Sequence, residues 1–404
     1  PEKILIAKQN EIILKDICFE SYVPQDKAIS LKDAVSKFEN LLCKSINNRI
    51  RDTEKVGVFL SGGIDSALIS ALTKKQTGNV KAFTVGFENQ LYDESRTAHE
   101  IAHYLGIEHQ IFKFNVEEDY KAFNDVVAVI PSPFADPAVI PTFQCVKRIS
   151  DEVDVVLDGT GADTLIGIMP AKHIRFILRY SCHIPYWLRS FLLELLQFNK
   201  KLSTYTALFE FEDVEELLIR WKGWTRDEIS RLCNQQCSLS HTRFYKLFSE
   251  HSDKEPYELY SLLIGALPDD RIHQTFALLE KKVAFPFFDR SVQEFVRRLP
   301  LRYKYGNGTS KVLFREALGE VLPSNIWDKP KHGFDYPFEN LLRYKNNELP
   351  KTLLSKNAVD IHRLFDFTVI EQYLHRFLSG DDTVKFKIWA LIVFQAWYLR
   401  HYKA

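Results

Sequence analysis

The segment VGVFLSGGIDSAL, residues 56–68, has the residue types of a phosphate-binding turn. A short apolar strand leads into Ser61, Gly62 and Gly63, and a helical pattern follows at once. Glycines let the backbone approach a ligand closely, and a helix N-terminus presents free N–H groups to anions. Ser61 and Ser66 add hydroxyl donors. The pattern predicts a phosphate or pyrophosphate site, with an ordinary capped glycine turn as the alternative. The GxxxxGKS/T loop of other nucleotide-binding proteins is absent.

Two acids follow predicted strand ends. Asp65 lies in the first glycine turn, where it would repel a bare phosphate, so its best use is to hold Mg²⁺. Asp163 lies in LDGTGADT, residues 157–164, where a strand again runs into a glycine turn, with Gly159 and Gly161. Ligands of open α/β sheets bind at the carboxyl ends of strands. We therefore expect both acids to meet at one Mg²⁺; for Asp163 alone, a helix cap is the alternative.

Two lysines stand in segments that are punctuated by glycine or proline. Lys311 lies in GTSKVLFREAL and Lys331 in DKPKHGFDYP. Exposed lysines are usually solvated surface. The glycine and prolines around Lys331 favour a shaped loop over 329–337 instead. The residues by themselves leave a functional role for either lysine open.

The spacing of apolar residues predicts the helices and strands that carry these residues. Apolar spacing predicts helices over 30–51 and 96–105. Short apolar runs predict strands at 55–60, 80–87, 111–112 and 153–159. Alternating strands and helices at this spacing predict the α/β class, with a parallel sheet and right-handed crossovers.

The ends and the middle of the chain have a different texture. The segment KILIAKQNEIILKDI, residues 3–17, is predicted to form a hairpin. Residues 172–265 are aromatic, charged and mostly helical in period, and residues 310–404 are helical too, apart from the loop at 329–337. The prediction is thus a nucleotide-binding sheet followed by a largely helical C-terminal portion.

Composition excludes several classes of protein. The chain has 404 residues, with 53 Lys+Arg and 53 Asp+Glu, so its formal net charge is zero. A global basic field is ruled out, and no nucleic-acid partner is expected. Six cysteines without a CxxC pair are typical of reduced intracellular thiols, and no signal-peptide pattern opens the chain, so we expect a cytoplasmic protein. The longest apolar run, 388–399, is too short to span a bilayer, and no membrane partner is expected.

Taken together, these segments resemble the synthetase domain of the asparagine synthetase family, which also includes β-lactam synthetase and the lasso-peptide macrolactam cyclases. Other stretches resemble further family segments in the same order. They are FTVGFENQLYDESRTAHEIAHYLGIEH, SPFADPAVIPTF, DDRIHQTFALLEKKVAFPFFD, KVLFREAL, LPSNIWDKPKHGF and WALIVFQAW. The resemblance covers about residues 30–400 and is weakest over 172–262.

The resemblance implies a fold like that of the adenine nucleotide α-hydrolases, with a pyrophosphatase-type loop. It also implies a domain plan. In this plan 1–29 is a hairpin remnant of a glutaminase domain and 30–404 is the synthetase-like domain, with a nucleotide-binding core at 55–171, a helical insert at 172–265 and a helical part at 266–404 that carries the Lys331 loop.

The implied activity is that of a ligase forming carbon–nitrogen bonds. Such an enzyme transfers AMP from ATP to a substrate carboxylate, and an amine then attacks the acyl-adenylate to form an amide. Carried over by position, Lys331 would stabilise the charge that develops on the adenylate, Lys311 would hold phosphate, and Asp65 and Asp163 would bind Mg²⁺. The implied ATP and pyrophosphate contacts are Ser61, Gly62, Gly63, Asp65, Ser66, Val85, Gly86, Gly159 and Gly161.

Three departures from the family pattern concern the substrate. Thr160, Thr164 and Ser132 stand where the asparagine synthetases commonly carry acids. The GTGADTLIG turn is somewhat more like the β-lactam synthetase form. ATP chemistry would be kept, while the carboxylate is left open among aspartate, a sugar acid, and a peptide or amino acid that is cyclised.

The source of the amine is also left open. The family's glutaminase domain uses an N-terminal Cys, whereas residue 1 here is Pro, and residues 1–20 resemble only the last hairpin of that domain. We expect free ammonia, ammonia from a partner glutaminase domain or protein, or an amine on the substrate itself.

A rival pattern belongs to another class of enzyme. HEIAHYLGIEH matches HExxHxxGxxH, which in zinc peptidases supplies three ligands, here His99, His103 and His109, with Glu100 as base. The context disfavours this interpretation, because the helix stands between two strands of the predicted nucleotide sheet. The alternative to a zinc site is a surface helix whose histidines have no specific role. For the protein as a whole, a non-catalytic synthetase-like scaffold is a further alternative.

Overall fold

The computed structural model carries the side chains of most of the chain. It describes residues 3–8, 11–16, 28–51, 55–87, 93–149, 152–167, 172–197, 209, 211, 216–217, 223–238, 245, 271–306, 309–329 and 336–402. Within these residues the chain forms a central parallel sheet with helices on its faces and a helical C-terminal part.

The central sheet has five strands, all parallel, in the spatial order β5-β4-β3-β6-β7. Their bounds are Val56–Phe59 (β3), Val80–Gly86 (β4), Glu108–Lys113 (β5), Val155–Leu157 (β6) and Val283–Ala284 (β7). The predicted α/β class with a parallel sheet is therefore confirmed. Four strands coincide with predicted runs, whereas β7 is only two residues long and had no periodic signal of its own.

The strand order reverses beside β3, the central strand. The chain first builds β4 and β5 on one side of β3 and later adds β6 and β7 on the other. Such a switch point leaves a crevice at the carboxyl ends of the two strands that flank it. Both predicted glycine turns follow those two strands, β3 and β6.

Three helices connect or cover the first strands, and local signals mark their ends. They are α1 (Leu31–Ile50), α2 (Ile64–Thr77) and α3 (Ser95–Leu105). The Ser30 hydroxyl caps α1 by accepting from the Asp33 N–H at 3.2 Å. Gly106, in the left-handed region at φ 63°, ends α3. These caps explain why the helix bounds agree with the sequence pattern.

The remaining helices of the N-terminal half are α4 (Val116–Val129), α5 (Val139–Ile149), α6 (Ala162–Ile166), α7 (Lys172–Arg179) and α8 (Tyr186–Gln197). A reciprocal capping box between Asn115 and Glu118 starts α4. An antiparallel hairpin, β1 (Lys3–Lys8) with β2 (Glu11–Asp16), precedes them all. Its relation to a glutaminase domain stays a prediction.

The C-terminal half is mostly helical. Its elements are α9 (Arg226–Leu232), α10 (Arg271–Leu278), α11 (Arg290–Arg298), α12 (Leu301–Lys304), the short strands β8 (Tyr305–Gly306) and β9 (Thr309–Ser310), α13 (Val312–Gly319), α14 (Ser324–Trp327), α15 (Glu339–Leu353, with non-helical backbone at Tyr344–Asn347), α16 (Lys356–Val359), α17 (Phe367–Leu378) and α18 (Lys385–Tyr402). None of the described helices is long and apolar enough to cross a membrane.

Two large apolar cores hold these layers together. One joins α1, α2 and the sheet to α11 and α13, and the other joins α4 and α5 to α15, α17 and α18. In the first core the ring of Phe314, on α13, stacks between Phe38 and Phe287 at centroid distances of 5.0 and 5.1 Å. This stack fixes the start of α13 beside the sheet, which matters for the charged residue at that helix's N-terminus.

Candidate functional site

The turn after β3 is braced by its own two serines. The Ser61 N–H donates to Ser66 Oγ at 3.0 Å, and the two hydroxyl oxygens lie 2.9 Å apart. The Gly63 N–H donates to Ser61 Oγ at 3.1 Å. The N–H groups of Gly62 and Ile64 have no acceptor among the described residues. The turn thus has a defined shape and presents donors at a helix N-terminus, as an anion site requires.

Gly62 packs closely against the start of α3. A Cβ placed on Gly62 would lie 3.1 Å from Thr97 Cβ and 3.4 Å from Glu94 Cβ. A side chain there would need the neighbouring side chains of α3 to shift by a few tenths of an ångström. Glycine at this position is therefore a matter of fit as well as of access for a ligand.

The turn after β6 packs directly onto the first turn. A Cβ on Gly159 would lie 3.3 Å from both Asp65 Cβ and Ser66 N. Gly161 has φ +97°, a backbone conformation that favours glycine, and its Cα faces the Phe288 ring, which a Cβ would approach to 3.0 Å. The two predicted turns therefore form one continuous surface at the switch point.

Three charged side chains meet at this surface. Lys311 Nζ lies 2.5 Å from Asp65 Oδ2 and 2.6 Å from Asp163 Oδ1. The lysine and Asp65 are almost buried, at 13% and 14% side-chain exposure, while Asp163 is 46% exposed. The expected meeting of Asp65 and Asp163 is present, and the ammonium group lies between them.

The backbone of Lys311 explains how it reaches the sheet. It caps the N-terminus of α13 in the left-handed region, with φ 61° and ψ 36°, and its N–H donates to the Lys304 carbonyl at 2.7 Å. Such a conformation is unusual for a non-glycine residue. It turns the chain from β9 into α13, which the aromatic stack holds beside the sheet.

The charge state of Lys311 follows from its neighbours. Burial opposes the charged form, but the carboxylates of Asp65 and then Asp163 outweigh it, so the pKa of Lys311 is raised above its ordinary 10.5. The lysine is therefore an ammonium at neutral pH, and the site holds two carboxylates and one fixed cation.

Thr160 interacts with its own turn. Its N–H donates to Asp158 Oδ1 at 2.7 Å, and its hydroxyl binds the same oxygen. Asp158 directly follows β6, yet sequence reasoning did not select it. Thr160 thus shapes the second turn by holding this carboxylate.

The first turn is also tied to the edge of the sheet. Thr84 Oγ1 donates to the Leu60 carbonyl and lies 2.7 Å from His109 Nε2. Sequence reasoning missed Thr84 because a threonine inside a strand gives no chemical signal. Val85 and Gly86 follow it at the end of β4, and their contact with adenine stays a prediction.

The structure gives no support to the zinc-peptidase interpretation. His109 lies on β5 rather than on α3, and its ring stacks with that of His99 at a centroid distance of 5.6 Å. Glu100 forms ion pairs with Lys329 and Arg96. Within the described part of the chain no three His, Cys, Asp or Glu side chains are grouped to hold a metal ion. Burial, and next the charge of His99, lower the pKa of His109 to about 4.

Lys331 lies outside the described residues, as do 330–335. The described flanks of its loop are both anchored. Lys329 pairs with Glu100 of α3, and the Tyr336 hydroxyl donates to Asp119 Oδ2 at 2.6 Å. A role for Lys331 in catalysis stays a prediction.

A cavity of about 590 Å³ opens between α4, α15 and α18. Its lining includes Tyr120, Phe123, Glu348 and Arg400, and none of the predicted site residues. The chemistry described above lies at the sheet edge, so cavity size does not locate the nucleotide in this protein.

Comparison with known proteins gives a coherent result. The family model for asparagine synthase matches residues 37–399. Asparagine synthetase (glutamine-hydrolyzing) 1 of Bacillus subtilis is 28% identical over 401 residues, which are 95% of this chain and 62% of that protein. An Arabidopsis thaliana asparagine synthetase (glutamine-hydrolyzing) is 32% identical over 143 residues, covering 32% of this chain and 24% of that protein. The chain therefore spans less than two thirds of the length of these relatives.

Among solved structures, the NH3-dependent NAD synthetase of Campylobacter jejuni is 16% identical, with a TM-score of 0.28, and covers 61% of this chain and 95% of that one. A similarity of this size supports no functional argument.

Proposed function

This chain belongs to the asparagine synthase family, and we propose that it uses ATP to activate a carboxylate and form an amide. The observation that carries the proposal is the meeting of Lys311, Asp65 and Asp163 beside two glycine turns. Lys311 and Asp65 are 246 residues apart in the chain, yet their charged atoms lie 2.5 Å apart. Such a charged centre beside free N–H donors suits a polyphosphate that must lose pyrophosphate.

The proposed reaction has two steps. A carboxylate oxygen of the substrate attacks the α-phosphorus of ATP, and the bond to pyrophosphate breaks, giving an acyl-adenylate. An amine nitrogen then attacks the acyl carbon, AMP leaves with the bonding electron pair, and the nitrogen gives up a proton. Negative charge grows on the phosphates in the first step, so preorganised cationic and N–H groups accelerate it.

Asp65 and Asp163 would hold Mg²⁺, because carboxylate oxygens are the ligands that this ion prefers. In the structure both oxygens contact the Lys311 ammonium, at 2.5 and 2.6 Å, so the acids face a position that already carries a positive charge. Bound Mg²⁺ would neutralise phosphate charge and polarise the reacting phosphate. Lys311 would contribute positive charge at the same edge, and the turn at Ser61–Ser66 would hold pyrophosphate through its N–H and hydroxyl groups.

We propose the carboxylate and the amine by chemical class, without naming a single compound for either. Thr160, whose N–H and hydroxyl bind Asp158, is not itself an acid, in keeping with a carboxylate substrate other than aspartate. Aspartate, a sugar acid and a cyclised amino acid or peptide are the candidates. The amine is ammonia, free or delivered by a glutaminase partner, or a group on the substrate.

Pyrophosphate release from Mg-ATP tests this function. The assay contains ammonia, with each candidate carboxylate added in turn, and AMP is measured beside pyrophosphate. We expect carboxylate-dependent release in equimolar amounts, and loss of release in Asp65→Asn. The control Asp360→Asn changes an exposed acid at the end of α16 and should leave the rate unaltered.

ATP binding separates a wrong substrate from a wrong site. Calorimetry with Mg-ATP should show binding to the unaltered chain and at least tenfold weaker binding to Asp65→Asn. Binding without turnover would mean that the carboxylate is another one. If Asp65→Asn bound Mg-ATP as tightly as the unaltered chain, the site assignment would be wrong.

A further inference from the structure

The helices α7 and α8, with the short turn between them, expose an aromatic surface that includes none of the site residues described above. We call residues 172–197 the aromatic helical pair. Its exposed large apolar side chains repeat every four residues on each helix. They are Phe176 and Tyr180 in and just after α7, and Trp187, Phe191 and Leu195 on α8, while Tyr186, which is exposed as well, lies outside this spacing. Trp187 is 71% exposed and Phe191 is 54% exposed.

The opposite sides of these helices are anchored, so the exposure is not a consequence of loose packing. Ile177 is fully buried in a small cluster with Phe211 and Leu217. The Arg189 guanidinium donates to the Phe211 carbonyl at 2.7 Å and to the Ile184 carbonyl at 3.0 Å, and it stacks on the Phe211 ring at 3.8 Å. The inner faces of both helices are therefore already packed and hydrogen-bonded. This leaves the exposed aromatic side chains of the pair directed outward.

The exposed charged side chains of α7 are all cationic. Lys172, Arg175 and Arg179 are exposed on α7, together with His173. The sequence contains no Asp or Glu from 165 to 193, and the one acid within the pair is Glu194 on α8, although acids and bases are equal in number over the whole chain. On α7 the exposed cations follow the helix beside Phe176 and Tyr180, at spacings of three and four residues, so cationic and aromatic side chains share its outer side.

We propose that the aromatic helical pair docks on the surface of an anionic lipid bilayer. Helices that lie in a membrane interface combine Lys and Arg with Trp, Phe and Leu on adjoining faces. Tyrosine and tryptophan rings prefer the depth of the lipid headgroups, and basic side chains are attracted by anionic lipids. The pair lies on the membrane without crossing it, in agreement with the absence of a spanning helix in the described residues.

A second copy of the chain fits this surface less well. A symmetric pairing through the stripe would bring Arg175 and Arg179 near their own counterparts, and like charges across an interface oppose association. A lipid surface that carries negative charge removes this conflict. The inference depends on this surface alone and is independent of the proposed reaction.

Vesicle sedimentation of the full chain tests the inference. Vesicles of phosphatidylcholine are compared with vesicles that contain phosphatidylglycerol as well. We expect binding to the anionic vesicles, and its loss in high salt. The double variant Arg175→Gln with Arg179→Gln should weaken partitioning about 25-fold, at about fivefold per charge. The control Arg297→Gln with Arg298→Gln removes two exposed charges from α11 and should have no effect.

The aromatic contribution is tested separately. Trp187→Ser should weaken partitioning about tenfold or more, whereas Tyr104→Ser, at an exposed ring on α3, should not. Brominated lipid should quench tryptophan emission in the unaltered chain and quench it less in Trp187→Phe. Circular dichroism and thermal unfolding should be the same for all variants, because every altered side chain is exposed.

Two outcomes would overturn the inference. One is equal binding to anionic and neutral vesicles, or to neither. The other is a dimer in lipid-free buffer, by light scattering, that Trp187→Ser converts to a monomer, because the stripe would then be a protein interface.

Discussion

The sheet edge around Lys311 and the aromatic helical pair are built in opposite ways. At the edge, charged side chains from three distant segments are brought together and partly buried, and the core that joins α1, α2 and the sheet to α11 and α13 holds them there. In the helical pair, the exposed side chains repeat along the helices, and the buried cluster around Ile177 that anchors them is small. The charged site therefore depends on packing between distant parts of the chain. The spacing of the exposed aromatic side chains depends on local helical periodicity.

Removing the cation at the sheet edge tests the contrast most strongly. Lys311→Met leaves two neighbouring carboxylates without their ammonium, so we expect a loss of about 3 kcal/mol in the free energy of unfolding, measured in urea. Mg²⁺ should restore more of that stability in the variant than it adds to the unaltered chain. Lys356→Met, at an exposed lysine of α16, is the control and should change little. A variant as stable as the unaltered chain would show that the edge is not held by this charge.

The second glycine turn gives the next largest effect. Gly161→Ala places a side chain at φ +97° against the Phe288 ring, so we expect about 1–3 kcal/mol of lost stability together with weaker ATP binding. Gly319→Ala is the matched control, since a Cβ there meets nothing within 4 Å and the residue ends α13. Similar losses in both variants would mean that the turn has no special shape requirement.

Acid should destabilise the folded protein through His109, whose contact with Thr84 supports the first glycine turn. Because the pKa of His109 is about 4 in the folded protein and about 6.5 when unfolded, the unfolded chain binds the proton more tightly. Stability from this group is therefore present above pH 6.5 and is lost as the pH falls from 6.5 towards 4. We expect the free energy of unfolding to fall by roughly 1–2 kcal/mol over this pH range, after allowing for the exposed part of the ring. Unfolding measured across that range should show a smaller pH dependence in His109→Gln.

The smallest effect on the sheet should come from the helical pair. Arg189→Met removes the donor to two carbonyls and the stacking on Phe211, so we expect faster proteolytic cleavage within 172–197. The main unfolding transition should shift by less than about 0.5 kcal/mol, because this cluster is separate from the large cores. Arg175→Met, at an exposed position, should change neither. If Arg189→Met lowered the stability of the whole domain, the two regions would be one unit and the comparison would fail.

Much of the fold could be predicted where local pattern and structure agree. The strand that became β3, the helix α3 with its terminal Gly106, and the glycine turns at Gly62 and Gly161 were all visible in the sequence. The order of the strands was not, because apolar runs carry no information on which neighbour they pair with. β7 was missed for a different reason, because two residues are too few to show any periodicity.

The sequence by itself determined which residue types could do chemistry: glycine turns after strands, acids within them, and lysines in punctuated segments. The folded structure was needed to show that Lys311 lies between Asp65 and Asp163, and that His109 on β5 contacts Thr84. The physical reason is range. Backbone preference and burial pattern act over a few residues, whereas the contact between Lys311 and Asp65 joins positions 246 residues apart and exists only once α13 has packed against the sheet.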